Sequence, residues 1–423
     1  MTFRTARGTR DFLPEEMIKR QFVLDKMRKI AELCGFDTIE TPAFEDWALL
    51  SAKSSGGEAI KEEVYYFKDK SNRELGLRFD FTVPLARFVA NNPQLPKPFK
   101  RYQTGYVWRY DRPGAGRYRE FRQFDMDIIG SSDIQSEAEL LLTCCRIFKE
   151  FGIEDFIIRV SDRRLIEGLV LDIGIDASKV SDIFRSIDKL EKIGKEGVKE
   201  ELSKKGFESR EINKIIDIIS SDISKIKSKS VENIIRDLIK LEELMDDYRD
   251  NIKIDLSLVR GLDYYTGIVF EIGTKDGKLS LAGGGRYDKL VELYGGKPTP
   301  AMGIALGFAR IVELMESRGL LDLPKTNTKI FVISIGDSLK VSRQITNLTN
   351  KLRDSGISTE YDIMNRSLTK QLDYVNSKGI PYAIIVGEKE LSKNMIKFKN
   401  MKSGEEKDIS IARFEQDIGE MMK

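Results

Sequence analysis

Apolar and polar positions along this chain sort into helical and extended periods. Across residues 14–34, apolar side chains recur at Phe22, Met27, Ile30 and Leu33, Pro14 suits a first helical turn and Gly35 suits a stop. That pattern predicts a helix. Residues 64–68 and 75–79 flank the polar stretch 69–74 and predict a hairpin, followed by a helix that starts near Thr82 or Pro84. Residues 100–110 and 119–129 predict two long strands joined by a Pro/Gly loop at 111–118, and residues 136–151 predict another helix.

The character changes across 161–250. Glu, Lys, Ile and Ser dominate, Gly is sparse in the second half, and helical periodicity runs through 231–248, which predicts a mostly helical insertion. Strands are expected again at 254–259, 267–273 and near Ser280, and 302–317 begins as a glycine-containing strand and passes into a helix. Residues 321–328 read as a linker. Beyond it, strand 329–335, helix 338–355, strand 357–361, helix 367–377 and strand 382–386 give a βαβαβ layout, the pattern of a separate small α/β domain. Residues 395–400 and 407–411 add a hairpin around Ser403 and Gly404.

Composition narrows the chemistry. A chain of 423 residues is longer than one core usually supports, so two or three domains are expected. Lys+Arg 70 against Asp+Glu 68 leaves a net charge of +2, so any RNA contact must come from local patches. Cys34, Cys144 and Cys145 form no CxxC spacing, which argues against a zinc site or a disulfide framework and fits a reducing cytosol. The N-terminus lacks the apolar segment of a secretory signal, and no apolar run approaches the ~18 residues that span a bilayer. The chain contains no histidine. That excludes histidine-based triads, histidine metal ligands and imidazole acid–base catalysis.

Four segments carry candidate chemistry. Val259–Glu271 places Arg260, Asp263, Tyr264 and Tyr265 just before an apolar strand. Arg260 offers a planar fork of donors to carboxylate and phosphate, and the tyrosines offer flat walls with polar tips. Together they suit a small polar amino acid beside a phosphoryl group. Gly105–Asp127 carries Arg109, Arg112, Arg117, Arg119 and Arg122 on a strand–loop–strand, with Gln123 and Asp127 on the second strand. Read alone, those arginines make an exposed charged hairpin. Leu77–Pro84 sets Asp80 and Thr82 on one side of an extended stretch, where either also suits a helix N-cap. Leu281–Asp288 contains three consecutive glycines that let backbone approach a ligand, then Tyr287, and Gly303–Arg310 ends on an arginine that begins a helix.

Taken together, these segments resemble the histidyl-tRNA synthetase family. Gly105–Asp127, with its Trp-Arg strand end, turn and Arg-Glu-Phe strand, resembles motif 2 of class II aminoacyl-tRNA synthetases. Val259–Glu271 and Leu281–Asp288 resemble the two histidine signatures, Gly303–Arg310 resembles motif 3, and Arg7–Pro14 resembles the opening motif at the family's dimer interface. The resemblance implies an α+β class II catalytic domain, an antiparallel sheet flanked by helices, over 1–325. That domain includes the insertion at 161–250, and a C-terminal α/β anticodon-binding domain covers 326–423.

It also implies roles. Arg109 binds the ATP α-phosphate and Arg117 holds ATP from the loop. Arg310 clamps the γ-phosphate, and Arg260 lies between the histidine carboxylate and the α-phosphate. Asp80 and Thr82 hold the α-ammonium, Gln123 sits beside the amino acid, Asp127 faces the imidazole, and Tyr264, Tyr265 and Tyr287 line its pocket. Asp80 departs from the Glu of many bacterial members, which keeps the charge and shortens the reach. The implied activity is that of a cytoplasmic homodimeric histidine–tRNA ligase. ATP and Mg²⁺ serve activation, histidine and tRNA(His) are the partners, and the magnesium is held mainly by phosphates and water. The alternative is a catalytically silent paralogue, the regulatory subunit of ATP phosphoribosyltransferase. Such paralogues usually lack the anticodon-binding domain, which this chain keeps.

Overall fold

The computed structural model describes residues 3–52, 62–111, 118–259 and 264–421. Its contacts divide the chain into two compact units, Met1–Asp11 with Leu24–Leu320, and Phe12–Val23 with Leu321–Lys423.

The first unit is built on an eight-stranded sheet. In chain order the strands are β1 (Asp37–Thr38), β5 (Phe99–Trp108), β6 (Glu120–Ile129), β7 (Phe156–Asp162), β8 (Ile252–Ile254), β9 (Ile268–Thr274), β10 (Ser280–Arg286) and β11 (Ala301–Leu306). Their spatial order is β1-β5-β6-β11-β10-β9-β7-β8. The six strands from β5 to β7 are antiparallel, and the short edge strands β1 and β8 pair in parallel. A small sheet of β2 (Phe44–Asp46), β4 (Glu74–Leu77) and β3 (Tyr66–Lys68) belongs to the same unit.

Alternation along the strands gives the large sheet two different faces. Tyr102, Phe124, Met126, Ile128, Met302, Ile304 and Leu306 are all buried. Helices Gln135–Glu150 and Phe308–Ser317 pack against β6 and its neighbours. Tyr102 and Phe124 stack with ring centroids 5.3 Å apart. The residues between them form the other face. Register sets Arg101 opposite Asp127, Gln103 opposite Asp125 and Gly105 opposite Gln123. Asp127 in turn lies opposite Gly303, and Gly303 opposite Gly285. This face is polar and nearly free of bulk at its centre.

Between β7 and β8 the chain runs through helices Arg163–Asp172, Val180–Ile187, Leu190–Lys204, Ser209–Ser220 and Glu232–Leu244. Asp162 starts the first of them by accepting the N–H of Arg164 at 2.8 Å. The strand expected at 254–259 is corrected. β8 ends at Ile254, because the Asp255 carboxylate accepts Ser257 N–H at 3.0 Å and Ser257 Oγ at 2.6 Å and turns the chain.

The second unit holds β12 (Ile330–Ile335), β13 (Thr359–Tyr361), β14 (Tyr382–Gly387), β15 (Met395–Asn400) and β16 (Glu406–Ser410), ordered β13-β12-β14-β15-β16. The first three in that order are parallel, and β15 and β16 add an antiparallel hairpin. Ile330, Val332, Ile384 and Val386 pack with Leu348 and Leu352 of helix Leu339–Asp354. Gln371 is fully buried in helix Leu368–Lys378. Its amide accepts Ser334 N–H at 3.0 Å and donates to Ser334 O at 3.0 Å and Arg366 O at 2.7 Å.

Replacing Gln371 with Leu strands those three backbone groups. The variant is expected to lose about 2–4 kcal/mol in the second unit, read as a lower unfolding midpoint by calorimetry. An unchanged midpoint contradicts this account.

Candidate active site

The site grows from the polar face of the large sheet. Arg101 is fully buried, and its Nη2 lies 2.6 Å from Asp127 Oδ2. The contact is a close ion pair that falls outside hydrogen-bond angles, and Arg101 Nε and Nη1 have no hydrogen-bond partner either. Tyr287 donates its hydroxyl to the other oxygen of Asp127 in a short hydrogen bond. Asp127 is thereby held from two sides. Burial raises its carboxyl above the ordinary range, while Arg101 and the Tyr287 hydroxyl oppose that rise.

Room for this arrangement comes from glycines. A Cβ on Gly303 would stand 1.9 Å from Asp127 Oδ1. A Cβ on Gly285 would stand 2.9 Å from the Tyr265 ring. Gly285 therefore makes way for a site side chain, and Gly283 of the same run lines the adjoining cavity.

Tyr264 and Tyr287 are buried, packed with Leu85 and Ala86 of helix Thr82–Asn91 and with Tyr265. Tyr264 meets Tyr265 at 5.0 Å and Tyr287 at 5.9 Å, both edge to face. Burial pushes all three hydroxyls above their ordinary range, so they act as neutral donors. Asp80 precedes the helix. The extended stretch expected for Asp80 and Thr82 is corrected, because Phe81 is already in the α region and Thr82 is the first helical residue. Asp80 Oδ1 accepts the N–H of Val83 at 3.2 Å, which draws the chain into the helix. Its Oδ2 is buried without a partner. Burial raises the carboxyl to about 6, partly offset by the Val83 N–H and by Arg109.

Next to this cluster opens a cavity of about 450 Å³, lined by Arg109, Phe121, Gln123, Gly283, Ala305 and Arg310 among others. Arg109 follows β5. Its Nε donates to Phe79 O at 3.0 Å and its guanidinium lies 5.3 Å from the Phe121 ring. Arg310, in the first turn of helix Phe308–Ser317, donates to Ser280 O at 2.9 Å. Each arginine is steered by a backbone carbonyl while other nitrogens line the cavity. Gln123 links the two regions. It lines the cavity, lies two residues from Asp125 on β6, and keeps its Oε1 buried and unpartnered.

Arg109, Gln123 and Arg310 thus meet at the cavity, while Asp80, Thr82, Asp127, Tyr264, Tyr265 and Tyr287 gather at the buried cluster. Arg260, Arg117, Arg112 and Asp263 lie outside the described residues. Arg101 and Asp125 escaped the sequence reading. The signal for them was the two-residue alternation of polar side chains inside long, otherwise apolar strands. Arg119 packs over the ring of Tyr110 at 3.9 Å, and Arg122 lies over the ring of Tyr106 at 4.9 Å and also lines the cavity. In the second unit, Lys397 and Lys399 both pair with Glu406 at 2.9 Å.

An antiparallel sheet carrying arginines at one end of a strand pair, with helices on its back, is the catalytic fold of class II aminoacyl-tRNA synthetases. A family model described as histidyl-tRNA synthetase matches residues 8–311, and one described as anticodon binding domain matches residues 329–421. The histidine–tRNA ligase of Pyrococcus horikoshii is 37% identical over 432 aligned positions, covering 99% of each chain. That of Korarchaeum cryptofilum is 40% identical, covering 91% of each. The crystal structure of histidyl-tRNA synthetase from Nostoc sp. PCC 7120 superposes with a TM-score of 0.85 at 29% identity over 100% of both chains. The chain belongs to the histidyl-tRNA synthetase family.

Two outcomes test the geometry. Gly303→Ala drives a methyl group into Asp127, and is expected to abolish histidine binding or lower the unfolding midpoint. Retention of both contradicts the crowding. The second concerns Asp80. Its folded-state carboxyl ionises near pH 6, against 3.8 ordinarily, so the unliganded protein holds the proton longer than the unfolded chain. Stability is therefore lost as pH rises from about 4 through 6. Asp80→Asn removes that loss. The variant is expected to be more stable than the parent at pH 8, by at most about 3 kcal/mol, with little difference near pH 4. A gain that is equal at both pH values contradicts the assignment.

Proposed function

We propose that this protein activates histidine with ATP and transfers it to the 3′ end of tRNA(His), working in the cytoplasm as a homodimer. One observation carries the reading. A buried pocket of carboxylates and tyrosine hydroxyls adjoins an arginine-lined cavity on the same sheet face. The first suits an amino acid with a ring that donates hydrogen bonds, and the second suits a triphosphate.

In this reading Asp80 and Thr82 take the α-ammonium, with Gln123 beside the amino acid. Asp127 accepts a ring N–H between the walls of Tyr264, Tyr265 and Tyr287. Arg109 binds the α-phosphate of ATP, Arg117 holds ATP from the loop, Arg310 binds the γ-phosphate, and Arg260 bridges the histidine carboxylate and the α-phosphate. A carboxylate oxygen of histidine attacks the α-phosphorus, the bond to the bridging oxygen breaks, and pyrophosphate leaves. The nucleophile is already ionised, so no general base is needed. Positioning and fixed positive charge lower the barrier. In the second step a ribose hydroxyl of the terminal adenosine attacks the carbonyl carbon, AMP leaves, and an adenylate phosphate oxygen accepts the proton. A protein without histidine is chemically sufficient for both steps.

Magnesium, when bound, neutralises charge on the phosphates. Among the described residues no group of three or more Cys, Asp or Glu is placed to hold a metal ion. It would be held mainly by phosphate oxygens and water, with Glu63 and Asp111 on the cavity wall as carboxylates suited to the bound water. Residues 1–325 serve as the catalytic domain, including the insertion at 161–250, and 326–423 as the anticodon-binding domain. Phe44 and Phe67, exposed on the small sheet and 6.3 Å apart, offer apolar surface to a second copy. The regulatory-subunit alternative is not favoured, since the matched relatives bear the ligase name over nearly the full chain and the anticodon-domain match is present.

ATP–pyrophosphate exchange is expected with histidine and with no other common amino acid. Arg260→Ala is expected to lower it by about 10²–10³-fold. Histidine binding without exchange in the parent protein favours the regulatory reading instead.

A further inference from the structure

On the side of the large sheet away from the polar face lies a buried charged pair. Gly285 stands opposite Gly303 on the polar face, so alternation turns the next side chain, Arg286, toward the helices. There Arg286, 4% exposed, meets Glu137, 1% exposed, in the first turn of helix Gln135–Glu150. Arg286 Nε and Nη2 lie 2.7 Å and 2.6 Å from Glu137 Oε1. Nη1 donates to Ser131 O at 3.0 Å and to Asp288 Oδ1 at 3.2 Å. An apolar pair of similar volume would join helix to sheet about as well, without the cost of desolvating two charges. What an apolar pair lacks is direction. A guanidinium fixes the angles of the groups around it.

Hydrogen bonds carry that direction to the pocket. Asp288 Oδ1 also accepts Ala301 N–H at 3.0 Å, and Asp288 N–H donates to Thr266 Oγ1 at 3.0 Å. Thr266 N–H donates to Arg286 O at 2.8 Å, and Tyr287 N–H donates to Ala301 O at 2.7 Å. Tyr287 is therefore held through its own N–H and through both of its chain neighbours. Tyr265 is held through Thr266, the residue after it. Tyr287 in turn gives its hydroxyl to Asp127. Two walls of the pocket thus trace back to one guanidinium on the far side of the sheet.

We propose that Glu137 and Arg286 are positioning residues for histidine: the buried pair fixes Asp288 and Thr266, and through them sets where the Tyr265 ring and the Tyr287 hydroxyl stand. Both side chains leave the face opposite the pocket, so they act through the tyrosines. Their influence falls on the amino acid and spares the nucleotide. Arg109 and Arg310 take their orientation from the carbonyls of Phe79 and Ser280 instead. This inference rests on the proposed function, because its readout is histidine activation.

The test is ATP–pyrophosphate exchange by the full-length protein, with KM for histidine, KM for ATP and kcat measured separately. Glu137→Gln is expected to raise KM for histidine about 10-fold, with KM for ATP and kcat changed by less than about threefold. In a Tyr287→Phe background the same substitution is expected to add less than about threefold, because the hydroxyl it misplaces is already gone. An unchanged KM for histidine, a parallel rise for ATP, or full additivity with Tyr287→Phe overturns the proposal. If Glu137→Gln does not fold, Thr266→Val, which removes only the acceptor for Asp288 N–H, is held to the same pattern. Thr266→Ser keeps that acceptor and is expected to match the parent. Absence of exchange in the parent removes the proposed function and this inference with it. Parent exchange with unresponsive variants removes only this inference.

Discussion

The pairing of Arg101 with Asp127 across β5 and β6 is the constraint around which the site is organised. Both groups are almost completely removed from water. Such a pair is costly to form, and removing one partner typically costs ~3–5 kcal/mol because the other charge is then stranded. The pair survives because the fold surrounds it with compensation. Tyr287 donates to the second carboxylate oxygen, and Gly303 gives the carboxylate room. What results is an acceptor fixed in position before any ligand arrives.

That fixed acceptor explains the division of labour on the sheet. Helices cover one face, whose aromatic and aliphatic side chains make an ordinary core. The opposite face spends its burial on polarity, with Asp80, Gln123, Asp125 and Asp127 within one region. Such a pocket discriminates strongly, because a ligand lacking a matching donor leaves buried oxygens unpaired. Penalties of that kind support ~10⁴–10⁵-fold selectivity without a separate editing step. The cost is stability in the empty state, visible in the raised carboxyls of Asp80 and Asp125.

Much of this was legible in the sequence, for identifiable reasons. The two long strands within 100–110 and 119–129 were expected and pair antiparallel, and the βαβαβ order after residue 329 followed from its alternating apolar and helical segments. The arginine and tyrosine segments were visible as chemistry before they were visible as structure. Local competition defeated other readings. Asp255 turns the chain through Ser257 and ends β8 early, and Asp80 does the same before helix Thr82–Asn91. Arg101 and Asp125 were hidden for a different reason. Their meaning depends on cross-strand register, which sets Arg101 opposite Asp127 and Asp125 opposite Gln103 and is not written in either strand alone. The requirement for Gly303 likewise arises only when β11 lies beside β6.

The central claim is that Asp127, locked by Arg101 and Tyr287, reads the ring of the amino acid while the arginine-lined cavity binds the nucleotide independently. Separate calorimetric titrations of histidine and of ATP into Asp127→Asn test it most directly. The account predicts a loss of histidine affinity of about 100-fold with ATP affinity nearly unchanged. Undiminished histidine binding, or parallel loss of both ligands, would contradict it.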